Sequence, residues 1–120
     1  MNSWEDEGFV KAVKATGKNK LVLCGLWTVD CGLWTEVCIA FPTICALDEG
    51  FEVYFVADAC GATSVEAHEM AIQMMIQAGA KPRTWQQVML EFQRDWSRKE
   101  TYDTVTGLVT EVSGVYGMVD

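Results

Sequence analysis

The apolar positions change period several times along the chain, and each change marks an element. Residues 4–15 carry Trp4, Phe9, Val10 and Val13 at helical spacing behind Ser3-Trp4-Glu5-Asp6, which has the form of a capping box. A helix over about 4–15, stopped by Gly17, is predicted. Residues 20–26 are almost wholly apolar after Lys20, the pattern of a strand covered on both faces, as in a parallel sheet. Thr35 as cap, Glu36 in a first turn and Gly50 as terminator bracket the next helix. Pro42 interrupts it beyond the first turn, freeing the Cys38 carbonyl from its usual donor. Residues 51–58, FEVYFVAD, form a second strand. Thr63-Ser64-Val65-Glu66 opens a helix with Ala67, Ala71, Met74 and Ala78 on one side and Gly79 at its end. KPRTW, 81–85, is a short third strand. Thr84 caps a helix striped by Trp85, Val88, Met89, Phe92 and Trp96. Residues 100–116 repeat that spacing with Val105, Leu108, Val109, Val112 and Tyr116, but are rich in poor helix formers, so this helix needs a partner surface.

The predicted order is α-β-α-β-α-β-α-α. Strands separated by helices imply parallel pairing with right-handed crossovers. The fold class is α/β: a three-layer, Rossmann-like parallel sheet flanked by helices, with about three strands, which is half of a doubly wound domain. At 120 residues the chain has room for one domain, 1–120.

Charge and cysteine content narrow the function classes. Nine basic and seventeen acidic residues give a net charge of −8, which repels nucleic acid and anionic membranes. No apolar run approaches the ~18 residues of a membrane span, and the acidic start MNSWEDEG has no signal-peptide character, so a cytoplasmic protein is expected. The five Cys, 24, 31, 38, 45 and 60, are odd in number and lack zinc-site spacing, so neither a disulfide framework nor a metal or other cofactor is expected. Most of them should be buried small hydrophobes.

One stretch carries chemistry. CGLWT occurs at 24–28 and again at 31–35, and Cys38 follows one heptad later. With Thr35 as N-cap, Cys38 stands at the third helical position, where unpaired N–H groups and the helix dipole favour thiolate and could hold an oxyanion. The carboxyl ends of parallel strands, where ligands bind, place it well. Cys31 is followed by Gly32-Leu33-Trp34, no helix start, and lies beside Asp30, which opposes a thiolate. His68, the sole His, reads as structural rather than as a partner to Cys38.

Gly32-Leu33-Trp34-Thr35-Glu36-Val37-Cys38, followed by Ile39-Ala40-Phe41-Pro42, closely resembles the nucleophile motif of the isochorismatase-like cysteine hydrolases. The likeness continues through ALDEGFEVYFVADACGATS and TWQQVMLEFQRDW and includes Asn2-Ser3-Trp4, so it covers roughly residues 2–100. The resemblance implies a six-stranded parallel sheet and an Asp–Lys–Cys mechanism forming a thioester-type intermediate on a small amide or related C–N bond. It makes Cys38 the nucleophile, the backbone N–H groups of Trp34 and Cys38 the oxyanion hole, and Leu33–Trp34 a cis peptide. It also implies a homo-oligomer acting on a small molecule.

Two departures follow from that comparison. The family's Asp and Lys precede the segment matching Asn2, so the N-terminal half of the family domain is expected to be missing. The family has one GLWT-like segment where this chain has two. Either copy can occupy the strand; the unbroken apolar run slightly favours the first. Three readings compete: a hydrolase using Cys38, a catalytically inactive remnant that works by association, and a small-molecule binding module at the Cys38 helix.

Overall fold

The computed structural model describes residues 2–25 and 35–114. The Leu33–Trp34 peptide, the Trp34 N–H, Cys31, most of both CGLWT copies and Tyr116 lie outside the described residues. The described chain forms two compact units, residues 1–84 and 85–120.

In the first unit a 3-10 turn, Ser3–Glu5, precedes α1, Glu7–Ala15. Asp6, not Ser3, caps α1 by accepting from the Phe9 N–H, while Asn2 accepts from the Trp4 N–H and caps the 3-10 turn. The predicted box therefore splits between two short elements. Trp4 is buried against Phe51 and donates from Nε1 to Glu49 at 2.9 Å. Gly17, at φ 66°, ends the segment as expected.

Strand β1, Lys20–Gly25, follows, then a π-helical turn, Thr35–Ile39, and α2, Ala40–Asp48. Strand β2, Glu52–Cys60, leads to α3, Val65–Gln77, and β3, Lys81–Arg83. The sheet order is β1-β2-β3, with both pairs parallel. The architecture is a three-stranded parallel sheet with flanking helices, the Rossmann-like α/β class. Sequential order with right-handed crossovers puts α2 and α3 over the same sheet face. That face carries Leu21 and Leu23 from β1 and Val53 and Phe55 from β2, packed against Ile39, Ala40, Ala46, Ile72 and Met75.

Three expectations are corrected here. β1 is not covered on both faces: Leu21 and Leu23 are half-buried, whereas Val22 and Cys24 are exposed. An edge strand with helices on one side buries alternate residues even when all are apolar. In α3, Ser64 is the cap, accepting from the Ala67 N–H, and the buried positions are Ala71 and Met75 rather than Met74 and Ala78. The free cysteines are less buried than expected: Cys24 is exposed, and Cys38, Cys45 and Cys60 are half-buried.

The second unit holds α4, Trp85–Gln93, and α5, Lys99–Val112. The stripe from Trp85 to Trp96 is broken because Arg94 turns left-handed, φ 68°, and ends α4. Phe92 is 76% exposed, and the buried residue is Gln93. Its Nε2 donates to the Asp95 and Arg98 carbonyls and its Oε1 accepts from Thr101, so one amide ties α4 to α5. Val109 is the buried member of the predicted α5 stripe, while Leu108 and Val112 are exposed. No described helix is long and apolar enough to cross a membrane.

Candidate functional site

The carboxyl end of β1 meets the carboxyl end of β2. Pairing is regular as far as Leu23 with Phe55, then shifts, and Gly25 pairs with Cys60. Beyond the undescribed residues 26–34 the chain is again beside β2. The Thr35 N–H donates to the Gly61 carbonyl at 2.8 Å. Gly25 and Thr35, ten positions apart in sequence, are thus anchored to neighbouring residues of one strand end.

Thr35 is fully buried. Its hydroxyl donates to the Gly61 carbonyl at 2.8 Å and lies 3.0 Å from His68 Nδ1. A hydroxyl has one proton, so with it committed to Gly61 the imidazole donates from Nδ1. Both the neutral Nδ1–H tautomer and the imidazolium make that bond. His68, on the first turn of α3, thus meets the turn that carries Cys38 through the Thr35 hydroxyl.

A second tie lies beside the first. Glu36 Oε1 accepts from the Thr63 hydroxyl at 2.7 Å and the Thr63 N–H at 3.2 Å. Burial raises the Glu36 carboxyl, but the Thr63 bonds, its own backbone N–H and the nearby His68 outweigh it, leaving the group below its ordinary value. Glu36 Oε2 is enclosed and has no hydrogen-bond partner. Thr63 is thus engaged by Glu36 and not available to cap α3.

Cys38 is half-buried within this turn. The expectation that Thr35 is an N-cap with Cys38 at the third helical position is corrected. The regular helix begins at Ala40, its N-cap position is Ile39, and no side chain caps it. The reason is Pro42. It falls in the first turn of α2, where its missing N–H has no intrahelical duty, and the wider π turn occupies the preceding residues. Ile39 and Ala40, buried against Phe55 and Met75, fix the far end of the turn.

Among the other thiols, Cys60 donates to the Val56 carbonyl at 3.0 Å. Burial pushes it above the ordinary thiol value, opposed in part by a hydrogen bond from Gly25. Cys45 accepts from Asn2 Nδ2 at 3.5 Å. Among the described residues no three His, Cys, Asp or Glu side chains cluster as a metal site requires.

The sequence pattern put Cys38 inside a helix capped by Thr35, not in the π turn that precedes α2. It missed the pairing of Thr35 with His68 and of Glu36 with Thr63, for which separations of 33 and 27 residues gave no local signal.

Comparison with known proteins bears on the same region. The model of the isochorismatase domain matches residues 1–87. The probable hydrolase YcaC of Escherichia coli (strain K12) is 45% identical over 96 residues, 80% of this chain and 43% of that protein. The structure of YcaC from Pseudomonas aeruginosa with hexane-2,5-diol and covalent acrylamide superposes with a TM-score of 0.83 at 38% identity, over 97% of this chain and 53% of that one. The Escherichia coli YcaC structure, an octameric hydrolase of unknown specificity, gives 0.82 at 40% identity, over 96% and 52%. The chain spans about half the length of the relatives it matches.

Proposed function

Since the chain belongs to the isochorismatase family, we propose that it is a portion of that fold which does not turn over substrate by itself and functions by association. The observation that carries this is the state of β1. It is an edge strand among the described residues, and its outward face presents Val22, 46% exposed, and Cys24. As it stands among the described residues, such a strand offers unpaired backbone groups and apolar side chains to a partner. The partner proposed is a second copy, in keeping with the octamer formed by the Escherichia coli relative.

A second reading is favoured by the anchored turn. Cys38 would be the nucleophile on a small amide: its sulfur bonds to the carbonyl carbon, the amine departs with a proton, and water releases the acid from the thioester. The N–H groups of Trp34 and Cys38 would hold the oxyanion, and Leu33–Trp34 would be the cis peptide. That reaction needs a base for the thiol, a role the family gives to its Asp, supported by its Lys; the segment matched here supplies neither. Losing general-base help costs typically ~10²–10⁴-fold.

Turnover of a panel of small amides by the chain, with Cys38→Ala as control, separates the readings. No Cys38-dependent turnover is expected. Cys38-dependent turnover by the chain alone would refute the inert reading and establish the hydrolase.

A further inference from the structure

The duplicated heptad raises a question that the anchoring of the turn answers. The pin at the start of the turn is a threonine hydroxyl, and it is Thr35, the last residue of the second CGLWT copy, that supplies it. The first copy ends in an equivalent residue, Thr28. We propose that Thr35 is the positioning residue of the Cys38 turn, acting through Gly61 and His68. We propose also that the two copies are interchangeable at this post, so that with residues 29–35 removed Thr28 takes it over. This rests on the reading that Cys38 is the group the turn presents.

The observations are local and independent. Thr35 is fully buried, and its N–H and hydroxyl both bind the Gly61 carbonyl. The hydroxyl is also the atom that meets His68. A side chain holding two elements, the end of β2 and the start of α3, fixes the turn's direction as well as its location. The reach needed of Thr28 is short. Gly25 is held at Cys60, and the pin binds Gly61, the next residue. Three residues of extended chain cover roughly 10 Å, whereas consecutive Cα atoms are ~3.8 Å apart, so Thr28 reaches the post easily. Deleting 29–35 also makes Glu36 follow Thr28 directly, which retains the order Thr-Glu-Val-Cys and with it the Glu36–Thr63 tie.

The experiment uses the 120-residue chain and two readouts. The first is the rate of acrylamide addition to Cys38, divided by the rate at glutathione added to the same solution. Sulfur bonds to the terminal alkene carbon, the C=C π bond opens, and the thiol proton ends on the neighbouring carbon. The second readout is amide hydrogen exchange of residues 35–39, with β2 amides as the fold control. Thr35→Val keeps the shape and removes the hydroxyl; Thr35→Ser keeps the hydroxyl.

Thr35→Val should lower the rate ratio at least about tenfold, against the ~10²-fold that an ångström of misplacement can cost. It should also speed exchange of 35–39 with β2 unchanged. Thr35→Ser should restore both. The deletion of residues 29–35 should behave as the parent, and adding Thr28→Val to it should reproduce the loss. Should Thr35→Val also open β2, His68→Leu removes the His68 contact of the pin alone, from the half-buried side of α3, and His68→Asn should rescue it. Exchange of 35–39 unaltered in Thr35→Val and His68→Leu would overturn the positioning role. Loss in the deletion variant without any further effect of Thr28→Val would overturn the interchange. If Cys38 in the parent reacts no faster than Cys60, the reading of Cys38 fails, and exchange still decides the pin.

Discussion

Thr43 illustrates how one atom can carry a measurable cost. It is fully buried on α2 between Ala40 and Ala46, and its hydroxyl has no hydrogen-bond partner. An enclosed, unsatisfied hydroxyl costs about 1–3 kcal/mol, so Thr43→Val, which keeps the branched shape, should stabilise the chain by about 1 kcal/mol. Urea denaturation followed by circular dichroism would show the midpoint rise; a lower midpoint would mean that the hydroxyl is satisfied. Thiol chemistry gives a second prediction at this scale. Cys60 is raised by burial and bonded to Val56, so iodoacetamide at neutral pH should modify Cys38 before Cys60. Peptide mapping after limited labelling checks the order, and preferential modification of Cys60 would contradict it. Cap residues were legible in the sequence by type but not by position. Both predicted boxes offer several acceptors, Asn2, Ser3 and Asp6 in one, Thr63 and Ser64 in the other. Which one caps depends on where the chain enters the helix, and Thr63 was taken by a carboxylate 27 residues away.

Elements were legible where their period was unambiguous and their ends were marked. The three strands, α3 and the glycine stops at Gly17, Gly50 and Gly79 stand within two residues of where the pattern put them, whereas α2 begins at Ala40 rather than directly behind Thr35. The one-sided burial of β1 was not legible, because LVLC has no polar residue to mark its outer face. The break of α4 at Arg94 escaped for a related reason: the apolar spacing runs on past a residue whose type does not announce a left-handed turn. The three strands are also tied by charge. On the outward face Glu52 of β2 binds Lys81 of β3 and Lys20 of β1, and accepts from the Tyr54 hydroxyl. Lys81 and Tyr54, with Lys20 adding its charge, bring the Glu52 carboxyl from 4.5 to about 2. A depressed folded-state value means stability that is present above the unfolded value and lost as pH falls through the folded one. Between pH 4.5 and about 2 the parent should therefore lose stability that Glu52→Gln lacks at every pH. The group is solvent-facing, so the difference should shrink in salt. Parallel acid-denaturation slopes for the two proteins across that window would contradict this.

At the scale of the whole molecule, family and fold class were readable from the segment Gly32–Pro42 and the strand–helix alternation, and the match to residues 1–87 agrees with the family. The fate of the repeat was not, because both copies offer the same residues and only the Thr35–Gly61 bond distinguishes the one that holds the turn. The proposed self-association rests on an argument about surfaces rather than on any motif. Among the described residues β1 ends the sheet, its outer face is open at Val22 and Cys24 beyond the charged Lys20, and Phe41 in the same unit is exposed as well. A lysine at position 22 would place a charge on the proposed contact while leaving the helix-covered face untouched. Sedimentation velocity of the unmodified chain and of Val22→Lys at micromolar concentration is the most direct test. The account predicts an assembly for the unmodified chain and a shift towards smaller species for Val22→Lys; a compact, stable monomer for the unmodified chain would contradict it.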